Sequence, residues 1–272
     1  MTDTNSRSPE REATATLTGV WVFFAITLVV SAAVVYVIGE RMDNSDGAIL
    51  AVVVPSSVAI VMSAVTRGWP GVRRLLRFRG AEPIPIRLVV IAVLGVPVLA
   101  LVAIGVGSIA TGDTYDFGMP SDGLIVLLPL LIIAFGEEYG WRGYALPGLQ
   151  GRYSALVAAL IVGVVHWMWH YPASLIETGV PLDTPFWLFG LFVIAWSVML
   201  TSVFNASSGA VGLPILFHFA SNAAFVFLPL LPENRGGELT TFSIFVALTL
   251  VASVVVVLVN GSASLSSKTS AT

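Results

Sequence analysis

Eight apolar stretches, at about 17–39, 48–66, 88–110, 123–147, 154–172, 186–204, 211–231 and 240–260, limit what this chain can become. Most approach the ~20 residues that an α-helix needs to cross the hydrocarbon core. Lipid offers the backbone no hydrogen-bond partner, so each stretch is expected to be a helix. Charge agrees, because only 11% of the 272 residues are charged, where a soluble domain carries about 25%. The expected fold class is all-α: a polytopic membrane protein with about eight transmembrane helices around an intramembrane polar cavity, a single domain over 17–260. Residues 1–16 form a polar tail, and the apolar run behind it is longer than a signal-peptide core, so it is expected to stay as a span. The last residues, 261–272, are small and polar and are expected to be disordered.

Arginines set the expected orientation. The 67–87 connection holds Arg67, Arg73, Arg74, Arg77, Arg79 and Arg87, whereas its neighbours, 40–47 and 111–122, hold Glu40, Asp43, Asp46, Asp113, Asp116 and Asp122 against one Arg41. Positive charge stays on the cytoplasmic side, so both chain ends are expected inside an integral membrane protein of a prokaryotic cell membrane. The run WPGVRRLLRFRG reads as an amphipathic segment on anionic headgroups or as a receiver for an acidic substrate tail. A net charge of −3 gives no reason to expect nucleic acid as a partner. With no cysteine, disulfides, thiolate metal sites and a Cys nucleophile are excluded.

The fourth stretch is uncharged only over 123–136 and becomes a span if its helix continues through Glu137, Glu138 and Arg142. A charge at the bilayer centre costs roughly 2.5–3.5 kcal/mol even on the gentlest scale, and such residues tend to face a bundle interior or a wet cavity. Glu138 and Arg142 are four apart and share a helix face. Glu137 is rotated by about 100° from Glu138 and has no partner in its own helix, which makes it a candidate general base. Trp141, four residues after Glu137, would shield that carboxylate or pack on lipid. His166 and His170 form a second pair with this spacing, and His218 and Asn222 a third, so all three histidines of the chain lie in apolar stretches. Counting residues from the turn near 150 puts Glu137 and the two span-five histidines at similar depth, and favours His166 slightly. Counting span seven from residue 211 puts His218 and Asn222 in the cytoplasmic half, so the cavity is expected to open toward the cytoplasm.

At these residues the chain resembles the CPBP family, the CAAX-protease and bacteriocin-processing group of intramembrane endopeptidases, which also contains abortive-infection proteins. Two Glu, three residues and an Arg match Glu137, Glu138 and Arg142. An aromatic, three residues and a His, with Pro two positions on, falls on WHYP and gives His170, with His166 standing at the aromatic position. His, three residues and Asn match His218 and Asn222. The motif core covers about 130–225. The resemblance implies an endopeptidase that hydrolyses a peptide bond with an activated water, without metal or other cofactor. Glu137 would be the base, helped by His170. His218 and Asn222 would stabilise the oxyanion, and Glu138 and Arg142 would hold the acid pair. The implied substrate is a peptide or protein, with a lipidated C-terminal tail as the eukaryotic precedent.

Two other classes fit the residues. Glu137, His170 and His218 would make a zinc site, although the His-Glu-x-x-His signature is absent. Buried Glu and His also serve proton-coupled transporters, although no paired halves are visible, and Pro55, Pro97, Pro129 and Pro214 read as kinks. A non-catalytic immunity or scaffold protein is the third possibility that the resemblance leaves.

Overall fold

A computed structural model of the protein describes residues 15–39, 50–78, 80, 83–119, 123–232 and 237–266. Among these there is no strand. The helices are α1 (Leu17–Gly39), α2 (Val54–Leu75), α3 (Ile86–Thr111), α4 (Leu127–Glu138), α5 (Leu146–Gln150), α6 (Ala155–Trp169), α7 (Tyr171–Ser174), α8 (Phe186–Ala206), α9 (Gly212–Phe227) and α10 (Leu239–Asn260). A 3₁₀ turn, Gly123–Val126, leads into α4, and a π-helical stretch, Tyr139–Ala145, joins α4 to α5. Among the described residues six helical segments are long and apolar enough to cross a bilayer, and Gly212–Phe227 is apolar but shorter.

The expected second span is displaced along the sequence. Its start is a turn at 52–53, and α2 then runs to Leu75, well past residue 66 and into the arginine-rich segment. Gly68 breaks it with φ 63°, a left-handed backbone that favours glycine, and Pro70 follows. Beyond the break Val72 and Leu75 are buried while Trp69, Arg73 and Arg74 are exposed, so this last piece is amphipathic. Glu40, Arg41, Asp43, Asp46, Arg79 and Asp122 lie outside the described residues.

Only one of the four prolines read as kinks sits in mid-helix, namely Pro97 in α3. Pro55, Pro129 and Pro214 stand in the first turns of α2, α4 and α9. There a backbone N–H has no partner within its helix, so proline costs little.

Contacts between connections define the two ends of the bundle. At the end that carries the arginines, Gly148 abuts Ala15 and Val20, and the Gly212 N–H donates to the Phe78 carbonyl at 2.9 Å. At the other end Tyr115 and Thr241 share a 2.6 Å hydroxyl–hydroxyl bond, and the Trp167 indole donates to the Phe186 carbonyl at 3.0 Å. α8 runs through the middle, with α6, α9 and α10 packed on it. In its most apolar stretch 72% of the residues are buried, against 28–39% in the other five candidate spans. One apolar cluster joins α3, α8, α9 and α10, and a second joins α1, α2, α4–α6 and the start of α9.

The C-terminal segment departs from its expectation. Residues 261–266 fold back onto the start of α6, where Ala155 and Leu156 donate their N–H groups to the carbonyls of Ala263 and Ser262 at 2.9 and 3.1 Å. Asn205 donates its side-chain amide to the Ser264 carbonyl at 2.7 Å, and Leu265 is fully buried. Small polar composition conceals this role, because the docking rests on backbone carbonyls that satisfy the free donors of a helix start. Residues 267–272 lie outside the described residues. Truncation after Asn260 removes several hydrogen bonds, each worth about 0.5–1.5 kcal/mol, so it should lower the unfolding midpoint in detergent. An unchanged midpoint would contradict the docking.

Candidate active site

Close backbone packing fixes the acid pair. Gly136 and Gly140 flank it on α4 and the π stretch, and the turn that opens α2 lies against both. A Cβ on Gly136 would stand 2.6 Å from the Val52 carbonyl oxygen, and one on Gly140 would stand 2.7 Å from Pro55 backbone atoms. Small residues permit this approach between helices in lipid. The Ser56 hydroxyl then donates to the Phe135 carbonyl at 2.9 Å. Directly after Glu138 the backbone widens into the π stretch, closed by a bond from the Leu146 N–H to the Trp141 carbonyl. Wide turns of this kind are often found at functional sites. Pro147 follows, a residue that cannot donate to an α-helical ladder.

Across this widened turn Glu138 and Arg142 still meet. Arg142 Nη1 donates to Glu138 Oε1 at 3.0 Å with both side chains fully buried. The same oxygen lies 2.8 Å from His218 Nδ1, so one carboxylate ties α4 to α9. Glu137 points to a different neighbour, as its rotation on the helix implies. Its Oε2 is 2.8 Å from His166 Nε2, a contact not aligned as a hydrogen bond, so both groups keep polar capacity for a third molecule. His170 lies one turn further along, its ring stacked on that of His166 at 5.3 Å and 14°.

Glu137, His166, His170, His218 and Asn222 line one cavity of about 480 Å³. Glu138 and Arg142 stand behind its wall and hold the residues that face it. Phe189, Phe192, Phe225, Val226 and Leu231 supply apolar wall. The sequence reading thus placed all five lining residues on the right helices. Of the two histidines on α6, His166 is the one in contact with the carboxylate.

The direction of the cavity differs from the expectation. Its remaining lining includes Ala51, Val52, Thr178, Gly179, Val180 and Pro181, which belong to the end opposite the arginines. The depth count failed at α9, whose start does not lie at the membrane surface. Ser207, Ala210, Val211 and Gly212 are buried, with Gly80 pressed on the Ser207 carbonyl and Phe78 on Gly212. A sunken start carries His218 and Asn222 deeper than residue counting from 211 assumes.

Tryptophans complete the frame. Trp141 is fully buried and stacks on His166 at 5.0 Å and 23°, so it packs inside the site and not on lipid. Trp196, on α8, meets the His218 ring edge to face at 4.8 Å and 88° and lies under the Arg142 guanidinium at 5.2 Å. Its indole donates to the Ser221 hydroxyl at 3.0 Å. Sequence reasoning passed over Trp196 because α8 carries no ionisable residue; its one signal was an indole in mid-span, away from the interfaces where such rings anchor. Among the described residues no group of three or more His, Asp or Glu side chains is arranged to hold a metal ion.

Residues 120–224 match the family described as type II CAAX prenyl endopeptidase Rce1-like. The chain is also 31% identical, over 112 residues, to the CAAX prenyl protease 2 of Methanococcus maripaludis. That alignment covers 39% of this chain and 41% of the relative, so the chain spans about two fifths of that protein's length. The family match begins just before α4 and ends inside α9, and so takes in every residue of the cavity named above as polar.

Substituting Gly140 with Leu pushes a side chain into the Pro55 backbone. Overpacking of this kind costs about 1–3 kcal/mol, and the unfolding midpoint in detergent should fall accordingly. A variant as stable as the wild type would mean that α2 does not approach the acid pair as described.

Proposed function

We propose that this chain belongs to the CPBP family, the CAAX-protease group to which both matches point, and is an intramembrane endopeptidase that hydrolyses a peptide bond with a water activated by Glu137. The observation that carries this reading is the convergence of Glu137, His166, His170, His218 and Asn222, from three separate spans, on a single cavity.

Glu137 takes a proton from water as the oxygen attacks the scissile carbonyl, and passes it to the departing amine. The α6 histidines adjoin this carboxylate, with His166 in contact and His170 stacked behind it. Asn222 offers an amide donor to the oxyanion. His218 has its Nδ1 against Glu138, which leaves Nε2 for the substrate. From that nitrogen a doubly protonated ring would offer the oxyanion a second donor. Donors fixed in a dry site count for much of the rate in acyl transfer. Arg142 and Glu138 act as positioning groups. This chemistry calls on no resident metal. The aromatic and aliphatic wall suits an apolar peptide, a lipidated C-terminal tail among them.

The test compares peptides in membranes of cells that carry wild type and Glu137→Gln. Loss of a general base costs a factor of about 10²–10⁴ in rate, so a peptide that disappears with the wild type should persist with the variant. Identical peptide profiles, with both proteins folded and equally abundant, would overturn the reading.

A further inference from the structure

We propose that the substrate reaches this cavity from the extracytoplasmic side, so that the bond cut belongs to a peptide exposed on the outer face or in the outer leaflet. The inference rests on the protease reading for its substrate, but its geometry stands apart from it.

Two independent observations meet here. The first is the place of the opening. Loop residues Thr178, Gly179, Val180 and Pro181 line the cavity, together with Ala51, Val52 and Leu231, and all lie at the end of the bundle opposite the arginines. Toward the arginine end the way is closed. Glu138 and Arg142 are fully buried, and below them Ala145, Leu146, Leu149 and Ala210 are fully buried as well. A peptide arriving from that side would have to displace packed helices.

The second observation is charge. Among the described residues Arg142 is in the site, and the other basic residues, Arg67, Arg73, Arg74, Arg77, Arg87 and Arg152, all lie at the arginine end. Described connections at the cavity end carry Asp113, Asp116, Glu177, Asp183 and Glu238 and no basic residue. Lys and Arg near the ends of spans are retained on the cytoplasmic side, so the arginine end is inside and the mouth is outside. The site then works on segments that have already crossed the membrane or that flank a span on its outer side.

Because the chain has no cysteine, single cysteines report this directly. Thr178→Cys samples the mouth and Leu175→Cys the exposed segment beside it, and Arg74→Cys and Arg77→Cys sample the opposite end; two positions per end guard against a variant that misfolds. Intact cells that express each full-length variant are treated with a membrane-impermeant maleimide, before and after permeabilisation. The mouth cysteines should label equally in both conditions, and the arginine-end cysteines only after permeabilisation. The reverse pattern would overturn the proposal. The comparison of wild type with Glu137→Gln remains separate. Mouth labelling from outside with no peptide difference would remove the protease reading alone, and a peptide difference with mouth labelling only after permeabilisation would remove the access proposal alone.

Discussion

One carboxylate oxygen, Glu138 Oε1, receives Arg142 from its own helix at 3.0 Å and His218 from α9 at 2.8 Å. Arg142 and Glu138 are wholly buried, and removing one partner of such a pair costs about 3–5 kcal/mol because it strands the other charge. That penalty gives the helix bundle a preferred register. The α4 segment, the π stretch and α9 can keep these groups together only if Glu137 and Asn222 face the same hollow. Trp196 reinforces the register from the central helix by touching both Arg142 and His218. Glu138 and Arg142 thus tie helices together behind the cavity wall, while Glu137 faces the cavity itself.

Much of this was legible in the residues themselves. Apolar runs gave the helices because lipid leaves the backbone no other partner, and described helices occupy all eight expected stretches. The pairs spaced four apart identified which faces meet, since ionisable groups within a membrane have few other places to go. Glu138 bridges Arg142 as that spacing implies. Glu137 lies on a different face and meets α6 instead. The motif assigned His170, and the depth count leaned toward His166; the structure puts both on the cavity, with His166 nearest the acid.

What escaped the sequence depended on long-range packing. Helix depth cannot be counted from a helix start that is itself buried, as Ala210, Val211 and Gly212 are against Phe78 and Gly80. For that reason the cavity opens at the end opposite to the one expected. The C-terminal segment looked disordered because its composition has little apolar mass, yet its carbonyls meet free donors at the start of α6. Trp196 was passed over because it bears no charge, and its importance comes from its contacts with Arg142, His218 and Ser221. Gly136 and Gly140 became informative once the backbone of α2 was seen against them.

If the acid, the imidazoles and the amide act on one substrate in one hollow, their removal must be strongly non-additive. The decisive measurement is a double-mutant cycle on cleavage rate, with Glu137→Gln, His218→Ala and the pair together. Groups that act as a unit lose most of their effect at the first substitution, so the double variant should be scarcely slower than Glu137→Gln alone. Rate losses that simply multiply would mean that the two side chains work independently, and would contradict a common site.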